Sequence, residues 1–196
     1  KKEVFANTKL NSITIPSQVK KIRSGTFYEC SISSITFAKN SELRIIEKDA
    51  FQYCKVKSLE IPSKVVDINK YSFSNYSKLQ EIIVSPNNPN FKMLDGLFIG
   101  KSYKFNDTDF DFLILATTKE KELIIPDKIR YLGPYSILEN YQIRKIKFSN
   151  NSNLLTIGEK AFNHCHIKKI KIPSSVKKIK DEAFGSIYSL EEIIIE

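Results

Sequence analysis

The chain has little of what a catalytic or metal centre is built from. Its 196 residues include only two histidines and three cysteines. The cysteines, Cys30, Cys54 and Cys165, are odd in number, which argues against the paired framework of small disulfide-rich domains. It does not count against a secreted protein whose core is large enough to need no bridges. The histidines, His164 and His166, flank Cys165. Zinc needs three or four converging ligands, so no metal is expected there. No G-x-S-x-G elbow, phosphate loop or G-x-G-x-x-G fingerprint occurs, so the expectation is a protein that is not an enzyme and needs no cofactor. Nothing approaches the eighteen or so consecutive apolar residues of a membrane helix, so no membrane insertion is expected in this segment. There is no initiator Met and no signal-peptide pattern at the start; targeting signals, if any, are expected outside it.

What the chain does have is a repeat. Taking one strand position as anchor gives Ile13, Ile35, Leu59, Ile82, Leu123, Ile146, Ile170 and Ile193, spaced 22, 24, 23, 41, 23, 24 and 23 residues apart. Seven of the eight anchors sit in an L-x-x-L-x-L stretch such as "VKSLEI" or "IKKIKI". Period-two alternation makes these half-buried strands. Pro16, Pro62, Pro126 and Pro173 follow four of them and end the strand, having no N–H for the next ladder bond. Beyond the strand, Val19, Ile22, Phe27 and Cys30 recur as Val65, Ile68, Phe73 and Tyr76 and as Val176, Ile179, Phe184 and Ile187. With two extra loop residues they recur as Leu43, Ile46, Phe51 and Cys54 and as Leu154, Ile157, Phe162 and Cys165. One short strand and a return turn cannot bury an apolar face alone, whereas stacked units can. The expected fold is a repeat solenoid of the leucine-rich-repeat type, about 23 residues per repeat. A parallel β-sheet forms one face, with short helix or 3₁₀ turns and loops on the other. Residues 1–196 are expected to form a single continuous array.

The segments "ITIPSQVKKIRSGTFYEC", "LRIIEKDAFQYC", "LEIPSKVVDINKYSF", "LLTIGEKAFNHC" and "IKIPSSVKKIKDEAF" together resemble the BspA-like leucine-rich-repeat family. The resemblance covers nearly the whole chain. It implies a cell-surface or secreted protein, of bacteria or mucosal protozoa, that adheres to host, matrix or cell-surface proteins, with no catalytic residues to carry over. Ser136-Ile137 in place of Ala-Phe, and Asn140 in place of Cys, depart from the pattern in the unit at Leu123.

The long interval is read as a modified repeat with a hairpin-like insertion at 85–119. Asp95-Gly96 is a turn signal, and Leu97–Ile99 and Phe112–Leu115 are expected to pair. The family often carries a similar insertion. Asp107, Asp109 and Asp111 alternate like the head of a calcium loop, but Phe112 stands where its glycine should and Thr118 where its glutamate should. A solvated loop tip is the preferred reading. Phe5 stands eight residues before Ile13, as Phe27 does before Ile35, so the chain is expected to open inside a repeat and to close inside another at "EEIIIE". Uncapped repeats predict a longer array and end-to-end association. Cys30 and Cys54 occupy equivalent places in units about 4.8 Å apart, within reach of a disulfide; a column of reduced core thiols is the preferred reading. Three N-x-S/T sequons begin at Asn75, Asn106 and Asn150.

Net charge is +9, which invites anionic partners. The plainer reading is that lysines keep a repetitive β surface soluble and guard strand edges. The outward columns beside the anchors carry the information. Ser12, Ser34, Ser58 and Glu81 precede the first four anchors, and Thr14, Thr36, Glu60 and Ile83 follow them. In the second half Glu122, Lys145, Lys169 and Glu192 precede the anchors, and Ile124, Lys147, Lys171 and Ile194 follow, with Arg144 and Lys168 at the margin. Like charges on adjacent strands are unfavourable, so the lysines ask for a reason. The candidate partner-binding residues are Arg144, Lys145, Lys147, Lys168, Lys169, Lys171, Glu60, Ile83 and Ile124. The expected partner is a protein, with an acidic glycan as a further possibility. Outward aromatics for base stacking are missing, which counts against nucleic acid. The expected function is a non-catalytic binding module of a surface or secreted adhesin-like protein. The alternative is an intracellular scaffold or regulatory repeat domain, cytoplasmic or nuclear, whose basic face meets an acidic partner or nucleic acid.

Overall fold

β-branched residues alternating with polar ones favour short strands. In the computed structural model, which describes residues 2–74, 79–101, 109–137 and 142–196, a four-residue strand sits on every anchor. The strands are β1 (Ser12–Ile15), β2 (Lys21–Ile22), β3 (Ser34–Phe37), β4 (Ile45–Ile46), β5 (Ser58–Ile61), β6 (Asp67–Ile68), β7 (Glu81–Val84), β8 (Phe91–Leu94), β9 (Leu97–Gly100), β10 (Phe112–Ala116), β11 (Glu122–Ile125), β12 (Tyr131–Leu132), β13 (Lys145–Phe148), β14 (Thr156–Ile157), β15 (Lys169–Ile172), β16 (Lys178–Ile179) and β17 (Glu192–Ile195). Tyr76, Asn140 and the sequons at Asn75 and Asn106 lie outside the described residues.

Two compact units result, Lys1–Met93 and Leu94–Glu196. Each is a stretch of parallel β-solenoid, about 23 residues to the turn. In the first, β1, β3, β5 and β7 lie in that order, with the anchors in register as Ile13↔Ile35, Ile35↔Leu59 and Leu59↔Ile82. The two-residue strands β2, β4 and β6 form a second wall, pairing Ile22↔Ile46↔Ile68. In the second unit β11 pairs β13 (Leu123↔Ile146) and β15 pairs β17 (Ile170↔Ile193). Its other wall runs from the antiparallel pair β9–β10 into parallel β12, β14 and β16. The β9–β10 pair is the one expected in the insertion. Asp95 (φ 47) and Gly96 (φ 78) form the tight turn before it, and a Cβ on Gly96 would sit 3.0 Å from Thr118.

The third wall corrects an expectation. No helix or 3₁₀ segment forms among the described residues; the return segments are successive tight turns. The cause is a pair of left-handed residues, four apart, astride most of the core aromatics. Gly25 (φ 64) and Glu29 (φ 52) bracket Phe27, Asp49 (φ 56) and Tyr53 (φ 55) bracket Phe51, and Lys160 (φ 51) and His164 (φ 57) bracket Phe162. A left-handed residue every fourth position stops an α-helix before its first turn closes. The backbone is satisfied otherwise. Tyr28 and Cys30 N–H donate within the turn to Gly25 O (3.0 Å) and Phe27 O (3.1 Å). Between them, Phe27 and Glu29 N–H donate to Ala50 O (2.9 Å) and Gln52 O (3.0 Å) of the next coil. Alternate amides thus close the turn and stitch the stack, leaving no buried donor orphaned there.

The core fills the coil between the walls. Phe5, Phe27, Phe51 and Phe73 stack with centroids 5.5, 5.6 and 5.7 Å apart, and Phe162 stacks on Phe184 at 5.1 Å. Cys30, Cys54 and Cys165 are buried free thiols; Thr8 Oγ1 lies 3.1 Å from Cys30 Sγ, and Cys165 Sγ donates to Ile137 O at 3.0 Å. Asn88, inside the insertion, is a buried polar plug. Its amide donates to Pro62 O (2.8 Å) and Val65 O (3.1 Å), and its Oδ1 accepts from Asn90 and Phe91 N–H (2.9 and 3.0 Å). Asp111 is not at a solvated loop tip: it is buried, 3.9 Å from Arg130, and its carbonyl accepts from Arg130 and Tyr131 N–H. Docking the start of β10 onto β12 draws it inside. Asp107 lies outside the described residues.

Candidate functional site

Strand pleating sends every second side chain outward, so the columns beside the anchors face solvent. In the first unit Glu60 and Ile83 are exposed and face each other in register on β5 and β7, Ile83 at 50%. Hydroxyls beside them are tied to one another: Thr14 Oγ1 lies 3.0 Å from Thr36 Oγ1, and Ser58 Oγ donates to Glu81 Oε2 at 3.0 Å. In the second unit Ile124 stands on β11, 55% exposed and in register with Lys147. The other candidates gather around it. Lys145 and Lys147 are outward on β13, Lys169 and Lys171 on β15, and Arg144 and Lys168 just precede those strands, all exposed.

The lysines are not a bare cationic field. Glu122 takes both Lys147 (2.7 Å) and Lys145 (3.7 Å). Lys169 pairs with Glu192 (2.7 Å), Lys168 with Glu191 (3.4 Å) and Lys171 with Glu196. Among the described residues no ion pair involves Arg144. Six cations therefore face four carboxylates. The Lys147 hydrogen bond holds the Glu122 carboxyl below its usual 4.5, and the same bond raises the Lys147 ammonium above 10.5. Glu122 and Glu192 were legible as brackets of the patch, because they share the outward column. Glu191 and Glu196 were not picked out; the signal for Glu191 is its place 23 residues after Lys168, one coil on.

The sheet itself changes character here. β11–β13 and β15–β17 are two separate two-stranded ladders, and no ladder joins β13 to β15 although the two lie side by side. That junction is where the repeat sets Lys145 beside Lys169 and Lys147 beside Lys171. A groove of about 920 Å³ opens over it, lined by Ile146, Phe148 and Pro173 together with the lysines and Glu196. His166 also lines it. Among the described residues no group of three His, Cys, Asp or Glu side chains could hold a metal ion. Asn150, the one described sequon asparagine, is exposed in a turn at the groove's edge.

Stacked coils with a parallel strand wall and an outward face free of repeat constraint define a leucine-rich-repeat solenoid. The chain matches the family described as BspA type leucine rich repeat region, in six copies over residues 1–110 and 113–196, and it belongs to that family. A leucine-rich repeat protein from Eubacterium ventriosum matches over 95% of this chain and 54% of its own, at 19% identity and a TM-score of 0.77. A leucine-rich cell surface protein from Faecalibacterium prausnitzii matches over 95% and 60%, at 22% identity and a TM-score of 0.65. The pneumococcal vaccine antigen PcpA matches over 97% and 65%, at 19% identity and a TM-score of 0.53. The chain thus spans between about half and two thirds of these solved chains. No curated protein matches it. Among the described residues no helix is long and apolar enough to cross a membrane.

Proposed function

We propose that the chain is a non-catalytic binding module of a surface-exposed or secreted adhesin-like protein, recognising protein partners through the outward face of its strand walls. The observation that carries this is the contrast between inward and outward positions. Inward positions repeat in kind from coil to coil, because packing dictates them; outward ones run from hydroxyl to carboxylate to isoleucine to lysine, and the exposed Ile83 and Ile124 lie among them. A solenoid's sheet face is its usual binding surface, and isolated apolar side chains on a polar face are suitable anchors for a protein partner. Two structural neighbours, a cell surface protein and a vaccine antigen, favour an extracellular or cell-surface location. The outward columns carry no aromatics on which bases would stack, which weighs against an intracellular, polynucleotide-binding alternative.

The test is affinity capture from a detergent extract of host-cell surface proteins, comparing the chain with Ile83→Lys and Ile124→Lys variants of unchanged circular dichroism. Partners retained by the chain and lost with either variant bear the reading out. Identical capture by all three proteins would sink it.

A further inference from the structure

The groove between β13 and β15 has a geometry of its own. Glu122 lies on β11, on the side of β13 away from β15. Glu192 lies on β17, on the side of β15 away from β13, and Glu196 follows it. The glutamates therefore draw Lys145 and Lys147 one way and Lys169 and Lys171 the other. The aliphatic stems become the walls of the groove and the ammoniums its two lips. Between them the ladder is interrupted. We infer that this groove takes an extended acidic segment of a protein partner, with Asp or Glu at every second residue, whose carboxylates replace Glu122, Glu192 and Glu196 on the four lysines. The inference deepens the proposed reading of the outward face and rests on it.

Three observations select that occupant. First, the lysines on each strand stand two residues apart, about 6.6 Å along the chain, which is the pitch of alternate side chains in another extended peptide. Second, the exchange swaps one carboxylate for another on exposed lysines. Such pairs are individually weak, so displacing the resident glutamates costs little, while several ligand carboxylates act together. Arg144, without an ion pair among the described residues, adds a further cation at the margin. Third, the lining has an apolar share in the half-buried Phe148 and in Pro173, available to the residues between the acidic ones. Exposed outward aromatics on which a sugar or base would stack are missing from these columns.

The probe is a fluorescein-labelled (Glu-Thr)₄ peptide, followed by anisotropy at 20 and 200 mM NaCl. The comparisons are the block isomer Glu₄Thr₄ of equal charge and a labelled heparin octasaccharide. The alternating peptide is expected to bind at least about threefold more tightly than the block isomer, and to weaken with salt. Glu122→Gln removes the resident competitor and is expected to tighten binding about twofold to fivefold, the range of a surface ion pair. Lys147→Glu with Lys171→Glu is expected to abolish it. The milder Lys147→Gln with Lys171→Gln, expected to weaken it about tenfold, keeps the test sound if charge reversal unfolds the protein. Equal or better binding by the block peptide or the octasaccharide would overturn the inference, as would Glu122→Gln binding no more tightly. If the peptide fails while capture still depends on Ile83 or Ile124, the inference falls and the protein-binding reading stands.

Discussion

Cys165 sits in the core at the repeat position that Cys30 and Cys54 hold in their own coils. Burial pushes its thiol up to about 12, because a thiolate there would lose its hydration. At pH 8 that leaves about one thiolate in ten thousand, and only the thiolate attacks a disulfide reagent. Cys30 and Cys54 are equally enclosed. The expected outcome with Ellman's reagent is no fast-reacting thiol in the native protein and three in guanidinium chloride, with no dependence on prior reduction. A native thiol titrating within minutes would show that the core opens locally. Gly158 illustrates a tighter constraint. A Cβ there would lie 2.5 Å from Leu132 O and 2.7 Å from the carbonyl carbon of Gly133, both backbone atoms of the preceding coil. Gly158→Ala must spread two coils and is expected to cost about 1–3 kcal/mol, as overpacking does. A urea melt of that variant matching the parent midpoint would refute the close approach.

The phenylalanine stack is the clearest case of residues acting as a structural element. Phe51 is fully buried between Phe27 and Phe73, nearly parallel to both (3° and 6°). Phe51→Ala removes a ring and both stacking contacts and is expected to cost about 3–5 kcal/mol. Phe184 contacts Phe162 and is only half-buried, so Phe184→Ala is expected to cost visibly less. Guanidinium melts of the two variants decide, and equal losses would mean that the stack does not carry the wall. The place of each ring was legible beforehand, because the aromatic recurs at a fixed offset from its strand and only stacking explains that. The strand register was legible for the same reason: a one-residue slip would turn every anchor outward. The return turns were misread as helical because left-handed conformations at Glu29, Tyr53 and Lys160 leave no mark in composition; Gly25 signals one, and Asn7 and Asp49 do so more weakly. The lysine lips were legible as a column, but their neutralisation was only half so. Glu122 shares the column, whereas Glu191 and Glu196 reach the lysines from the margins of the next strand.

Across the chain, 31 Lys and Arg oppose 22 Asp and Glu, so the protein holds its charge balance only while its carboxylates are ionised. Glu42 and Glu122 are the clearest native dependants. The Lys64 hydrogen bond draws Glu42 below 4.5, as the Lys147 bond does Glu122. A carboxyl lowered in the folded state binds fewer protons there than in the unfolded chain, so unfolding takes up protons and stability rises with pH. The contribution is complete above about pH 4.5 and is lost as the pH falls through the lower folded values. Loss of the Glu122 charge also leaves Lys145 and Lys147 uncompensated beside Lys169 and Lys171, so adjacent strands repel. Both effects carry the same sign, and salt screens the repulsion among the lysines. Thermal melts between pH 6 and pH 3 are therefore expected to show a falling midpoint that begins below about pH 4.5 and is partly restored by 300 mM NaCl. In Glu122→Gln the lysines beside it are uncompensated at every pH, so the variant is expected to melt lower than the parent at pH 6 and to converge with it near pH 3. A variant and parent that differ by the same amount throughout that range would show that Glu122 does not restrain the lysine groove.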